Sequence, residues 1–541
     1  MDIIEEATFD TKFNQVKHTV ELYLDSGDGA SSSNIFPINP NAVVNFSIEE
    51  TLANWVTKGS LTFFYSPELA GGYMNSNLGQ VGSAAPNIGS SDGKSFYQFR
   101  GDGNDKLRLR IVPDVTNSQN NSISISQDDK HWCLSYLFSI YDMEDIDELP
   151  GAQNQGSSVL KCLKIYFWDE WYQKMITNII EYSTAVSNTQ QKKPTGDAMQ
   201  EIIEKALLDV PSTLGMPTGS VASGDWERGA AEIFFTAPAQ TNAYECLMYV
   251  YDKHLSDRSL PGSGATEVFD FSLLVKERGR EAKDVGYLTL KPLSHYFERA
   301  GKSADSPGEY QFEHFFLQSY ADSSKRPKAY RAPMGGGDKS GKVDFNSLKY
   351  GAITSYRFVD ISALTNSTEF VNTPVYSFDF ATRLYQVEFK TPSVQTARQF
   401  ISKQYIDQLY KAGADPEKLF LINLHTDKQK NKNLKPTFSL YGDDPIIRQA
   451  DGIQKLIYLG VFQNTCIHFR TLGLTTRRPG SFIAIDKTDG VDPGDFQDKF
   501  YGQWFVINVK HVFETEVFYN EITAVKVHRF DVPQIKFPNT F

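Results

Sequence analysis

Residues 502–530 read GQWFVINVKHVFETEVFYNEITAVKVHRF. Phe505, Ile507, Val509, His511 and Phe513 alternate with Trp504, Val506, Asn508, Lys510 and Val512. A period of two over ten β-branched and aromatic residues predicts a strand rather than a helix. Alternation resumes from Asn520 to His528, with Ile522, Ala524 and Lys526 opposite Thr523, Val525 and Val527. This predicts a long hairpin that turns at Glu514-Thr515-Glu516. Upstream, residues 465–472 and 481–485 read as strands around an Arg477-Arg478-Pro479-Gly480 turn. Four strands in one closed meander predict a small barrel, because an open sheet of that size would expose two edges.

A chain of 541 residues has room for several cores. Its net charge of -12 argues against a surface built to grip nucleic acid, and an acidic wall lets DNA pass without holding it. Cys133, Cys162, Cys246 and Cys466 lie far apart and form no Cys-x-x-Cys pair. His131 and His468 each sit two residues from a cysteine, which on a strand places both on one face. Two such pairs meeting at a metal is the sharper reading. Small core thiols in apolar surroundings is the preferred one. The acidic start MDIIEEATFD carries no basic-then-apolar signal, and no apolar run reaches the ~20 residues that span a bilayer. No membrane insertion is expected, and assembly in a cytoplasm is.

Residues 19–25, 43–51, 59–65, 96–99, 106–112, 131–141 and 159–168 alternate or run apolar as strands, enough for a first barrel with decorating loops. Helical stripes follow at 170–183, at 197–208 with Asp197 placed as the N-cap, and at 241–253. Residues 268–276 and 286–290 form a hairpin-like pair. Residues 353–362, 375–379 and 384–390 read as strands, 392–412 reads as helix, and 448–462 reads as a helix or bend. Between them lie Ser/Gly/Lys-rich loops at 303–307 and 329–342. The predicted organisation is α+β and β-dominated. A first β-barrel domain (1–185) is followed by a helical connector (186–265), an inserted α+β domain (266–449), a second β-barrel (450–530) and a C-terminal tail (531–541).

Candidate chemistry is sparse. The run DMEDIDE at 142–148 holds five acids in seven residues, with the wrong spacing for an EF-hand loop, and reads as a solvated acidic loop. Residues 334–343 mimic a phosphate loop, but Val343 stands where a hydroxyl would hold Mg²⁺, and no buried strand precedes it. No Gly-x-Ser-x-Gly occurs, and His511 and His528, on facing strands, read as structural. No catalytic, cofactor-binding or metal residue is assigned, no cofactor is implied, and the chain is read as not an enzyme.

The order of these elements resembles the central baseplate hub protein of T-even-like contractile-tailed bacteriophages. That hub family is shared with type VI secretion and other contractile injection systems. The resemblance is carried by Ser47-Ile48-Glu49-Glu50-Thr51 followed by the GSLTFFY strand at 59–65, by the Thr236-Ala237-Pro238 entry to a helix, and by PGSFIAI at 479–485 before Tyr501-Gly502 and the long hairpin. It implies two small hub-type (tudor-like) barrels per subunit and a homotrimeric virion protein of the tail baseplate. Such a hub adapts a sixfold tail tube to a separate trimeric spike protein, contacts baseplate wedge proteins and a tape measure protein, and leaves a channel for DNA in transit. The alternatives are a carbohydrate-active tail-associated enzyme and a different baseplate wedge or adaptor protein.

Overall fold

The computed structural model describes residues 16–24, 35–38, 43–64, 105–113, 115–116, 122–123, 134–146, 162–184, 192–207, 221–229, 232–254, 256, 272–277, 287–293, 295–296, 313–317, 351–359, 374–379, 384–389, 465–485, 501–514 and 517–527. The strands in chain order are β1 (Val16–Leu24), β2 (Ile35–Ile38), β3 (Val43–Thr51), β4 (Lys58–Phe64), β5 (Asp105–Pro113), β6 (Val115–Thr116), β7 (Ser122–Ile123), β8 (Leu134–Ile146) and β9 (Cys162–Asp169). They continue with β10 (Lys193–Pro194), β11 (Val221–Trp226), β12 (Glu232–Ile233), β13 (Ser272–Glu277), β14 (Tyr287–Pro292), β15 (Glu313–Leu317) and β16 (Ala352–Val359). The last are β17 (Pro374–Asp379), β18 (Leu384–Phe389), β19 (Cys466–Leu472), β20 (Phe482–Ile485), β21 (Gly502–Glu514) and β22 (Val517–Lys526). Three described helices, α1 (Glu170–Thr177), α2 (Thr195–Leu207) and α3 (Ala243–Tyr251), lie between β9 and β13.

One sheet of thirteen strands runs β2-β1-β5-β8-β9-β4-β3-β21-β20-β15-β16-β19-β22, and β22 also pairs with β21. The last six strands therefore form a ring in which each has two neighbours. The predicted hairpin is β21–β22, from Trp504↔Lys526 to Glu514↔Val517. The last four strands do not close on themselves, however. β15 and β16 complete the ring, β15 pairing parallel to both β20 and β16. β15 lies between the two polar loop stretches of 303–342, where its five residues, EHFFL, gave too short a pattern to register.

The first block (β1 to β5, β8 and β9) is an open run of seven strands ending at β2. Its core holds Phe46, Phe63, Leu107, Phe138, Ile165 and Phe167, and also Phe513 and Phe518 from the tip of the long hairpin. The second block (β15, β16 and β19 to β22) encloses Phe315, Ile467, Phe469, Ile483, Trp504 and Ile522. A third core is helical. Met199, Ile202, Ile203 and Leu207 of α2 and Cys246, Leu247 and Val250 of α3 pack with Trp171 and Met175 of α1 over the small sheet β11-β14-β13.

Helix starts follow their caps. Asp169 accepts from Trp171 N (3.0 Å) to open α1, and Asn242 accepts from Glu245 N (2.8 Å) to open α3. α2 opens at Thr195, so Asp197 is a first-turn acid rather than the N-cap, bonded by Arg228 Nε at 3.0 Å. The acidic run is only partly loop, since β8 continues through Asp142 to Ile146. Residues 96–99, 334–343, 392–412 and 448–462 fall outside the described residues. Among the described residues no helix is long and apolar enough to cross a membrane.

Candidate functional site

The two blocks have the same strand order. Numbering the six strands β1, β3, β4, β5, β8 and β9 in chain order, they lie side by side as 1-4-5-6-3-2, and β15, β16, β19, β20, β21 and β22 lie in that same order. The correspondence extends to register. Lys58, Trp168 and Ser139 sit on one rung across β4, β9 and β8, and Cys466, Val525 and Phe505 occupy that rung in the second block. On the next rung, Gly59, Phe167 and Ile140 correspond to Ile467, Ala524 and Val506.

One residue further along, both blocks carry a bulge, Tyr141 in β8 and Ile507 in β21. A second bulge recurs at equivalent positions, Val44 in β3 and Thr354 in β16. The blocks differ at their first strand. β1 is antiparallel to β5, whereas β15 is parallel to β20 and closes the ring.

The blocks meet edge to edge. β3 pairs antiparallel with β21 from Thr51↔Asn508 to Asn45↔Glu514. The bulge carbonyl of Ile507 accepts from Leu52 N (2.9 Å) and Thr51 Oγ1 (3.3 Å), which ends the ladder. Phe46 and Phe513 stack at 4.9 Å. Burying each ring stabilises by roughly 1.5–3 kcal/mol. Asn508 donates to Glu49 (2.6 Å), Tyr136 donates to Glu50 (2.7 Å), and Asn520 and His511 bond at 2.8 Å, so polar groups in the seam are satisfied.

Buried charges concentrate beside this seam. Lys106 Nζ lies 2.5 Å from Glu170 Oε2, both side chains 3% exposed, and Ser139 donates to the same carboxylate. Next to it, Lys276 pairs with the buried Asp169. In the second block Arg477 bonds Glu313 (Nε–Oε1, 2.8 Å) and Asn520 (3.0 Å).

One arrangement has the elements of a hydrolase: Thr195 Oγ1 is 2.9 Å from His254 Nδ1, and Glu227 is 3.9 Å from His254 Nε2. Thr195 and His254 are buried, and Glu227 is already engaged by Ser256 (2.9 Å) and Ser272 (2.6 Å). Gly229, at φ +89°, packs so closely that a Cβ there would lie 2.6 Å from the hydroxyl. No carbonyl can reach that oxygen, so the trio ties α2 to the β11 and β13 strands.

A cleft of about 30 Å³ borders the end of β3, with Trp55, Lys276, Tyr296 and Arg478 among its walls. Trp55 Nε1 is buried there without a hydrogen-bond partner. The space suits a water rather than a sugar ring.

Of the residues singled out in the sequence, Cys162, Cys246 and Cys466 are buried. Burial pushes the Cys246 and Cys466 thiols up to about 11. His468 faces outward and bonds Thr523 (2.8 Å), and its pKa is lowered by partial burial and by Arg357. His511 lies opposite Asn520 rather than His528. His131, Cys133, His528 and residues 334–343 lie outside the described residues. Among the described residues no three His, Cys, Asp or Glu gather as for a metal. Sequence periodicity identified the strands of the seam but not their mating, because an edge strand and a central strand share one alternation.

No protein-family model and no curated protein sequence matches the chain. Among solved structures it is similar to the tail protein of Neisseria meningitidis MC58, at 8% identity and a TM-score of 0.39, over 94% of this chain and 96% of that one. It is also similar to the 43 kDa tail protein of prophage MuSo2 from Shewanella oneidensis, at 8% identity and 0.37, over 94% and 97%. A third similarity is to the Francisella PdpA-VgrG complex, at 8% identity and 0.42, over 97% of this chain and 55% of that chain. These structural neighbours are two tail proteins, one of them from a prophage, and a PdpA-VgrG complex.

Proposed function

We propose that this chain is the central hub of a contractile-tail baseplate, a structural virion protein rather than an enzyme. Three copies form a ring of six similar blocks. One face of the ring meets a sixfold tail tube, the other seats a separate trimeric spike, and DNA passes through the middle. Wedge proteins and a tape measure protein are the further partners expected of such a hub. The observation that supports this reading is the repeated block, alike in strand order, register and bulge positions. A threefold body can match a sixfold one only if each subunit presents two similar surfaces. The charge of -12 suits a channel that does not retain DNA. The test is the native mass of the assembled full-length chain. Three copies are expected, and a species that stays a monomer or assembles as a dimer or tetramer overturns the proposal.

A further inference from the structure

The repeated block identifies a second mating edge. In the seam within the chain, β3 of the first block lies on β21 of the second. β8 is the counterpart of β21, and β16 is the counterpart of β3. Among the described residues no strand pairs with β8 on the side where β3 covers β21, beyond the β5 ladder that ends at Lys106↔Ser139. The side chains there are those of an unfinished interface. Tyr141 is 46% exposed and Met143 42%, while their counterparts Ile507 and Val509 are 7% and 0%. Tyr356 of β16 is 48% exposed, and its counterpart Phe46 is 1%. These three are among the four exposed large apolar side chains of the described residues.

We propose that the β8 edge from Tyr141 to Ile146 takes up β16 of a second copy of this chain as an added antiparallel strand. The known register transfers directly. Lys510↔Glu49 becomes Glu144 opposite Val359, and Val512↔Ser47 becomes Ile146 opposite Arg357. Charge sets the choice of partner. Within the chain, β3 brings acids (Glu49, Glu50) to a basic position of β21 (Lys510). At the proposed edge the signs are reversed, with Asp142, Glu144 and Asp145 on β8 and Arg357 on β16. β3 on β8 would set acid against acid, and β16 on β21 would set Arg357 near Lys510, so each edge rejects the other's partner. The contact is head-to-tail, so its repetition gives a ring where the rotation between copies closes and a filament where it does not. Its number of copies, three, rests on the hub reading above; the pairing of edges does not.

The test uses the full-length chain carrying both Glu144→Cys and Arg357→Cys, diagonal neighbours on one face of the proposed ladder, treated with a short bifunctional maleimide. The parent chain and each single variant serve as controls, with the mass of each sample measured in parallel. Chain-to-chain links only in the double variant, in a ladder ending at three, support both the edge and the hub. A ladder ending at another number keeps the edge and overturns the hub. Absence of links in a sample that runs as a trimer overturns the edge and leaves the hub. A monomer without links overturns both. In a second arm, Glu144→Lys and Arg357→Glu each weaken assembly roughly tenfold and together restore it. Additive loss instead of rescue overturns the pairing.

Discussion

Of the buried trio Lys106, Ser139 and Glu170, the two strand members occupy a rung that the second block fills with apolar groups. The register places Lys106 where the second block has Phe482, and Ser139 where it has Phe505, and those two rings lie 4.8 Å apart. The scaffold therefore accepts an apolar solution at these positions. Lys106→Met or Glu170→Gln alone strands a buried partner and should cost about 3–5 kcal/mol, whereas Lys106→Met with Glu170→Leu should be neutral or stabilising by about 1–4 kcal/mol. Urea midpoints of the three variants decide this, and a double variant weaker than either single refutes it. His468 gives a pH dependence. Its pKa in the folded chain lies below the ordinary 6.5, so between those two values the unfolded chain holds more protons. The contribution is complete above 6.5 and is lost as pH falls through that window. His468→Gln should flatten this part of the acid limb of stability against pH, by a small amount because the ring is solvent-screened. Of these residues, the sequence disclosed only the elements they lie on, Lys106, Ser139 and His468 on strands and Glu170 at a helix start. The Lys106–Glu170 bond joins positions 64 apart, and no local pattern reports such a pair.

At the scale of elements, the twin blocks solve one packing problem in opposite ways. Gly59 faces Phe167 across β4 and β9, and Ile467 faces Ala524 across β19 and β22. A Cβ at Gly59 would lie 2.1 Å from the Ser47 backbone carbonyl oxygen and 2.6 Å from the Phe167 ring, and Phe167 itself is fully buried. Phe167→Ala should cost about 3–5 kcal/mol through the cavity it leaves. Gly59→Ile should be destabilising as well, by overpacking. The pair Gly59→Ile with Phe167→Ala relieves the ring clash but not the one with the Ser47 carbonyl, so it should recover about 1 kcal/mol of the summed losses and remain less stable than the parent. Thermal unfolding of the four chains measures the coupling, and strict additivity would show that the rungs are not interchangeable. Strand periods made β3, β4, β5, β8, β9 and the long hairpin legible in the sequence. The bulges at Tyr141 and Ile507 were not, since neither position carries a Gly or Pro to mark it.

For the whole molecule, the sequence showed two β-rich blocks flanking helices, because composition and period change along the chain. It did not show that the blocks repeat, since matched rungs hold unlike residues: Lys58 against Cys466, Gly59 against Ile467, Ser60 against His468. What repeats is hydrogen-bond register, which is a property of backbone pairing and tolerates almost any side chain of suitable volume. Nor did it show that β15 and β16 enter the second ring, because parallel pairing between strands distant in sequence leaves no local turn signature.

The hairpin tip that seats Phe513 and Phe518 in the first block's core also sets a timetable for biosynthesis. Glu49 and its partner Asn508 are 459 residues apart, so the seam cannot zip until nearly the whole polypeptide has left the ribosome. Until then Phe46 lacks the Phe513 ring it stacks on, and β3 presents an open edge of the kind that chaperones and proteases engage. A product truncated before residue 513 lacks the two rings that complete its first core. Quality control is thereby built into the topology: an incomplete polypeptide marks itself by an unfilled core.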